Sequence, residues 1–361
     1  MSKLFTSLSL GEVTASNRIM VSPMCQYSCG RDGLPTEWHR VHLGSRAVGG
    51  AGIVMTEATA VEPRGRISPN DLGIWSEDHG DALAPIAAFI REQGSTPAIQ
   101  LAHAGRKASK TRPWEGNEPL APDEGGWETI APTDRPYPGY DDPPEQRRMT
   151  SEDIETVVDA FVEAARRAVT AGFEIVEIHA AHGYLLHEFL SPVTNDREDD
   201  YGGDFEGRTR IVREITRAVS DAVDGAAVFV RLSATDWLPD RESWTVDQSV
   251  RLADRLTEDG ADLIDVSTGG IHPEQHIPNP GPGYQIPFAE RIREETDADV
   301  LVGAVGGIRT PEQADELVRN ERADLAIVGR EFLRDPYFPL RAADALDGEL
   351  EWPIPYRRAV K

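Results

Sequence analysis

The sequence predicts a single α/β domain folded as a (β/α)8 TIM barrel. Eight short apolar runs rich in Val, Ile and Leu recur along the 361 residues, and helix-like segments separate most of them. No G-x-G-x-x-G follows an early run, which argues against the main alternative, an open doubly wound sheet. The runs are RIMVSPM (18–24), GIVMTEA (52–58), TPAIQLA (96–102), EIVEIHAA (174–181), AVFVRLS (227–233), DLIDVSTG (262–269), DVLVGAVGG (299–307) and DLAIVGR (324–330). Unbroken apolar stretches of this length suit parallel strands buried on both faces.

The clearest helix lies at 151–172. Ser151 and Asp153 give an N-cap signal, Ile154, Val157, Val158 and Phe161 mark one face, and Gly172 marks the end. Segments 204–223, 245–260 and 310–320 follow the same pattern. The stretch 103–149, rich in Pro, Gly, Trp and acids, reads as a lid-like excursion after the third strand. A tail is expected at 337–361. No linker divides the chain, so one domain is expected over 1–361.

The chain carries 62 acidic residues against 37 basic ones, a net charge of -25. Such a surface repels nucleic acid and anionic membranes, so neither is an expected partner. The basic residues are almost all arginine; the lysines are Lys3, Lys107, Lys110 and Lys361. The acids are spread along the chain, a pattern that suits a halophilic protein in a cytoplasm of high salt. No apolar run of about 18 residues is present, and the N-terminus is too polar for a signal peptide, so a cytoplasmic location is expected. Cys25 and Cys29 are the only cysteines, which leaves a C-x-x-x-C redox pair open and a disulfide framework excluded.

Chemistry in these barrels sits at the carboxyl ends of the strands. Those positions hold Cys25, Ala58, Gln100, His179, Arg231, Ser267, Gly306 and Arg330, a set too polar for a packing layer. The last two strands end in glycines, Gly306 and Gly329, and Arg330 follows directly. Glycine backbone and a guanidinium there predict a phosphate site. None of the lysines lies on a strand, which excludes a Schiff-base aldolase. His179 and His182 have no evident third ligand, so no metal site is expected. From these residues alone, a phosphate-binding isomerase or lyase using His179 and Tyr184 as acid and base remains an alternative.

The motifs SPMCQYS (22–28), IQLAHAGRKAS (99–109), EIHAAHGYLLHEFLSPVTNDREDDYGG (177–203), RLSATDW (231–237) and ADLAIVGREFLRDP (323–336) resemble the old yellow enzyme family, most closely its thermophilic-like branch. The resemblance implies an FMN-dependent oxidoreductase that uses NADPH or NADH to reduce activated C=C bonds in unsaturated aldehydes, ketones or nitroalkenes. It implies that Ser22, Pro23, Met24, Cys25, Ala58, Gln100 and Arg231 contact the flavin ring. Gly306, Gly329 and Arg330 would then hold the FMN phosphate. Cys25 would tune the flavin, Tyr27, His179 and His182 would bind substrate, and Tyr184 would bind it and give a proton. The tail implies a homodimer or homotetramer in which Arg358 reaches the neighbouring active site. Pro355 and the stretch 273–282 depart from the family pattern.

The acidic surface generates a first prediction. Screening of exposed carboxylates shortens to about 3 Å at 1 M salt. The melting temperature should therefore rise with KCl into the molar range; a flat or falling curve would show an ordinary acidic protein.

Overall fold

The computed structural model describes residues 2–297 and 299–359. Met1, Ala298, Val360 and Lys361, which fall within the expected domain and tail, lie outside the described residues. Eight parallel strands form a closed barrel. They are β1 (Ile19–Val21), β2 (Ile53–Ala60), β3 (Thr96–Ala102), β4 (Ile175–Ala180), β5 (Ala227–Ser233), β6 (Leu263–Ser267), β7 (Leu301–Val305) and β8 (Leu325–Val328). Ala326 of β8 pairs with Ile19 of β1, and this register closes the ring. The main crossover helices are α1 (Glu37–Val48), α2 (Glu77–Glu92), α3 (Ser151–Thr170), α4 (Phe205–Ala222), α5 (Val246–Glu258), α6 (Ile286–Glu295), α7 (Pro311–Arg319) and α8 (Phe338–Ala345).

The unbroken apolar runs have a simple cause: each strand is buried on two faces. Alternate residues such as Ile19, Val21, Val54 and Val176 join the layer beneath the helices. Their neighbours Met20, Ile53, Met55, Ile175 and Phe229 fill the barrel interior. The interior cluster also takes in Leu8, Leu10, Val13 and Ala15, from an antiparallel hairpin of Leu8–Leu10 and Val13–Ala15. This hairpin covers the N-terminal mouth, leaving the carboxyl ends as the open one. Sequence reading missed it, because three-residue strands carry too little periodicity to register.

Helix α3 begins one residue earlier than its N-cap signal suggested. Thr150 is the cap: its Oγ1 accepts from the Asp153 N–H at 3.1 Å, and Asp153 accepts from the Thr150 N–H at 2.8 Å. Ile154, Val157 and Phe161 are buried as expected, whereas Val158 is only partly covered. Gly172 ends the helix with φ +97°. The stretch 103–149 contains short 3₁₀ turns and a parallel pair, Thr129–Ala131 with Gln146–Arg148. Trp127 ties it to the loop after β2 by donating from Nε1 to the Arg64 carbonyl at 2.9 Å.

Candidate active site

Just below the open mouth, the interior of the barrel turns polar. Gln100 on β3 donates from Nε2 to Glu177 on β4 at 2.6 Å. Arg231 on β5 lies 3.0 Å from Asp265 on β6 and donates to Ser22 Oγ at 3.2 Å. All five are buried. Burial, and then the Asp265 charge, pushes Glu177 well above the usual carboxylate range, and burial raises Asp265 as well. Two carboxyls facing one guanidinium cannot both ionise cheaply. Asp265, against Arg231, keeps the charge and Glu177 keeps a proton.

The histidine cluster stands on the turn that follows β4. His182 Nδ1 lies 3.3 Å from His179 Nε2, and His182 Nε2 lies 2.7 Å from Ser267 Oγ at the end of β6. His182 adopts φ +60° and Gly183 φ +70°. A Cβ on Gly183 would come within 2.1 Å of the Gly270 carbonyl oxygen, so only glycine allows this approach. Lys107 fastens the two loops by donating to the His182 carbonyl at 2.8 Å and the Gly270 carbonyl at 3.1 Å. Its ammonium also sits 4.8 Å from the centre of the Tyr184 ring, which stands 5.3 Å from that of His179. His187, one turn on, is fully buried between the Gly183 N–H and Asp236, a supporting position.

Burial sets the protonation of this wall. It holds His179 and His182 well below the usual imidazole range, helped at His179 by Arg231 and at His182 by His179 and Arg231. Both rings are therefore neutral near pH 7. Burial, followed by Cys25 and Asp71, raises the Tyr184 phenol well above its ordinary value, so it keeps its proton. Lys107 is pushed down to about 7, by burial and then by Lys110.

Cys25 and Tyr27 pack with Ile67, Ala104, Ala108, Trp127 and, from the histidine turn, Tyr184. Burial chiefly, then Asp71 and Glu57, raises the Cys25 thiol, so it is not a thiolate. Both cysteines are free thiols. Ala58 lines a small void that Tyr184 and Asp71 share.

A cavity of about 370 Å³ opens beside these groups. The expected residues Ser22, Pro23, Met24, His182, Arg231, Gly306, Gly329 and Arg330 all line it. Gly306 has φ +134°, and a Cβ there would meet the Gln285 side chain at 2.9 Å. At Gly329 an added Cβ would meet nothing closer than Met24 Sδ at 3.6 Å, so the backbone there is open to a ligand. Arg309 and Arg330 line the cavity, and no carboxylate pairs with either guanidinium among the described residues. In a chain of charge -25, two uncommitted guanidiniums beside exposed glycine backbone fit a phosphate. These residues therefore fit FMN: Gly329, Arg309 and Arg330 would hold its phosphate.

Sequence reading missed Lys107, Gln285, Arg309 and the Glu177–Asp265 pair. Lys107 and Glu177 lie inside motifs already quoted, but a side chain's partner across the barrel leaves no local signal. Arg358, alone among the expected residues, is exposed and away from the mouth. It stands in the 3₁₀ turn Ile354–Ala359 and lines no part of the cavity of its own chain.

The depressed histidines generate a pH prediction. The unfolded imidazole titrates near 6.5, and folded His179 far lower. Below pH 6.5 the unfolded chain takes up a proton that the folded chain refuses, so His179 costs stability as pH falls. Relative to His179→Gln, the wild type should lose melting temperature between pH 7.5 and 5.5. A constant difference would show a histidine that titrates normally.

Comparison with known proteins agrees with this geometry. Residues 3–349 match the model of the NADH:flavin oxidoreductase / NADH oxidase family. The chain is 46% identical over 356 residues to an NADPH dehydrogenase of Geobacillus sp. (strain WCH70), covering 98% of each chain. It is 45% identical over 362 residues to an NADPH dehydrogenase of Listeria monocytogenes (serovar 1/2a), covering all of both chains. Among solved structures it resembles morphinone reductase in complex with tetrahydroNAD, with a TM-score of 0.78 and 26% identity over 98% of this chain and 93% of that one. It also resembles the old yellow enzyme homologue from Zymomonas mobilis, with a TM-score of 0.77 and 26% identity over 97% and 94%. The TM-score reaches 0.86 against 2-naphthoyl-CoA reductase at 25% identity, although the chain spans only 52% of that longer protein. A family match over nearly the whole length and full-length relatives near 45% identity lead to one conclusion: the chain belongs to the NADH:flavin oxidoreductase / NADH oxidase family and is an FMN-dependent oxidoreductase.

Proposed function

We propose that the chain is an ene-reductase, reducing the activated C=C bond of α,β-unsaturated aldehydes, ketones or nitroalkenes at the expense of NADPH or NADH. The observation that carries this reading is that His179, His182 and Tyr184 stand on one wall of the mouth, the His179 ring centre 5.0 Å from that of His182 and 5.3 Å from that of Tyr184. FMN, when bound, supplies the hydride chemistry between nicotinamide and alkene. His179 and His182 serve the substrate oxygen. A neutral imidazole N–H donates a hydrogen bond without bringing a charge that would need its own counter-ion. His179 Nδ1 has no hydrogen-bond partner among the described residues, and His182 would turn its Nε2–H from Ser267 toward the substrate. Tyr184 holds the proton destined for the α-carbon, and its raised pKa keeps that proton in place until a stronger base develops in the substrate. Tyr27, whose ring meets Trp114 edge-on at 5.8 Å, packs with Tyr184.

The names of the NADPH dehydrogenase relatives and of morphinone reductase support the reading. The isomerase or lyase alternative needs His179 as a base. An imidazole held so far below its usual range is a weak one at neutral pH.

Tyr184→Phe should leave flavin reduction by NADPH nearly unchanged. It should slow reoxidation by an enone, by about 10²-fold or more for a lost general acid. Stopped-flow absorbance separates the two halves, and equal slowing of both would defeat the assignment.

We also propose that the enzyme is at least a dimer and that Arg358 completes the neighbour's site. In its own chain Arg358 is exposed, on a turn that also presents Ile354 at 77% exposure. Subunits carrying Arg358→Ala, mixed with subunits carrying Tyr184→Phe, should recover activity that neither has alone. No recovery after confirmed subunit exchange would confine Arg358 to its own chain.

A further inference from the structure

The loop that carries Cys25 and Tyr27 is short, irregular and strained, for Tyr27 sits at φ +50°. Something must hold it there. The register of β2 against β3 slips between Met55 and Ala58, the mark of a β-bulge. Thr56 and Thr59 stabilise it, their hydroxyls donating to the Glu57 carbonyl at 3.0 Å and 2.9 Å. Bulges re-aim side chains. Glu57 here reaches the loop after β1 and the start of α1. Its Oε2 accepts the Gln26 N–H at 2.6 Å and the Tyr27 N–H at 3.4 Å. Its Oε1 lies 3.1 Å from His39 Nε2. The Thr36 N–H donates to His39 Nδ1 at 2.9 Å, which turns Nε2 toward the space between Glu57 Oε1 and the Cys29 sulfur, 3.6 Å away. Glu57 and His39 are both buried.

From this chain of contacts we infer that Glu57 is a positioning residue. Its carboxylate, oriented by His39, fixes the left-handed Tyr27 backbone and so sets where Cys25 and Tyr27 face the mouth. The inference rests on the reading of Cys25 and Tyr27 as site residues. A carboxylate suits this place because one oxygen takes both loop N–H groups while the other faces His39. An amide of the same shape has one oxygen, so Glu57→Gln leaves either the loop amides or His39 facing an N–H.

The test uses the FMN-loaded enzyme. In Glu57→Gln, amide hydrogen exchange at Gln26 and Tyr27 should quicken by about tenfold or more, as for a lost buried hydrogen bond. The KM for an enone should rise more than kcat falls, because a loosened wall is misplaced before chemistry begins. His39→Gln should move both readouts in the same direction by less, and it carries the test if Glu57→Gln does not fold. Wild-type exchange rates at both amides in a folded variant would overturn the proposal, and so would fast exchange with an unchanged KM. Cys25→Ala and Tyr27→Phe, measured alongside, judge the site reading itself. If neither alters the enone kinetics, both residues leave the site and the positioning role goes with them.

Discussion

Everything in this molecule depends on the closure of a parallel sheet. A parallel strand cannot turn back on its neighbour, so each must return through a helix, and every strand points the same way. Once Ala326 pairs with Ile19, no edge remains and all eight carboxyl ends meet at one mouth. The N-terminal hairpin then covers the opposite end with Leu8, Leu10 and Val13. Residues as distant in sequence as Ser22 and Arg231 become hydrogen-bonded neighbours through this closure alone.

The mouth solves an electrostatic problem that the composition poses. A chain of charge -25 must hold an anionic cofactor. It does so by local segregation. Among the described residues Arg309 and Arg330 pair with no carboxylate where they line the cavity, and deeper in the barrel burial favours a proton on the Glu177–Asp265 pair facing Arg231. On the remaining wall burial leaves two imidazoles neutral and one phenol protonated, which gives hydrogen-bond donors without net charge. The same low dielectric that penalises charge strengthens those donors.

Backbone strain marks the same region. Tyr27 and His182, on the loops after β1 and β4, both occupy left-handed conformations. Each is held by an ionisable side chain from elsewhere in the barrel: Glu57 receives the Tyr27 amide and Lys107 binds the His182 carbonyl. Non-glycine residues stay in such conformations where the surroundings over-determine them. A hydrogen bond to a buried side chain at each turn supplies that restraint, because an unpaired polar group there is costly.

The sequence by itself determined the barrel, since two-sided burial writes continuous apolar runs that can be counted without coordinates. It also determined most of the residues at the mouth, because strand ends and glycine turns are local features: His179, Arg231, Gly306 and Arg330 all stand where the runs placed them. What only the tertiary structure decided is how those residues are paired and protonated. The proton on Glu177, the clamp of Lys107 across two loops and the bulge that turns Glu57 toward α1 each join segments far apart in the chain. No window of sequence contains both partners of such a contact. The electrostatics of a buried group are set by what closes around it, and that closure exists only once the barrel has formed.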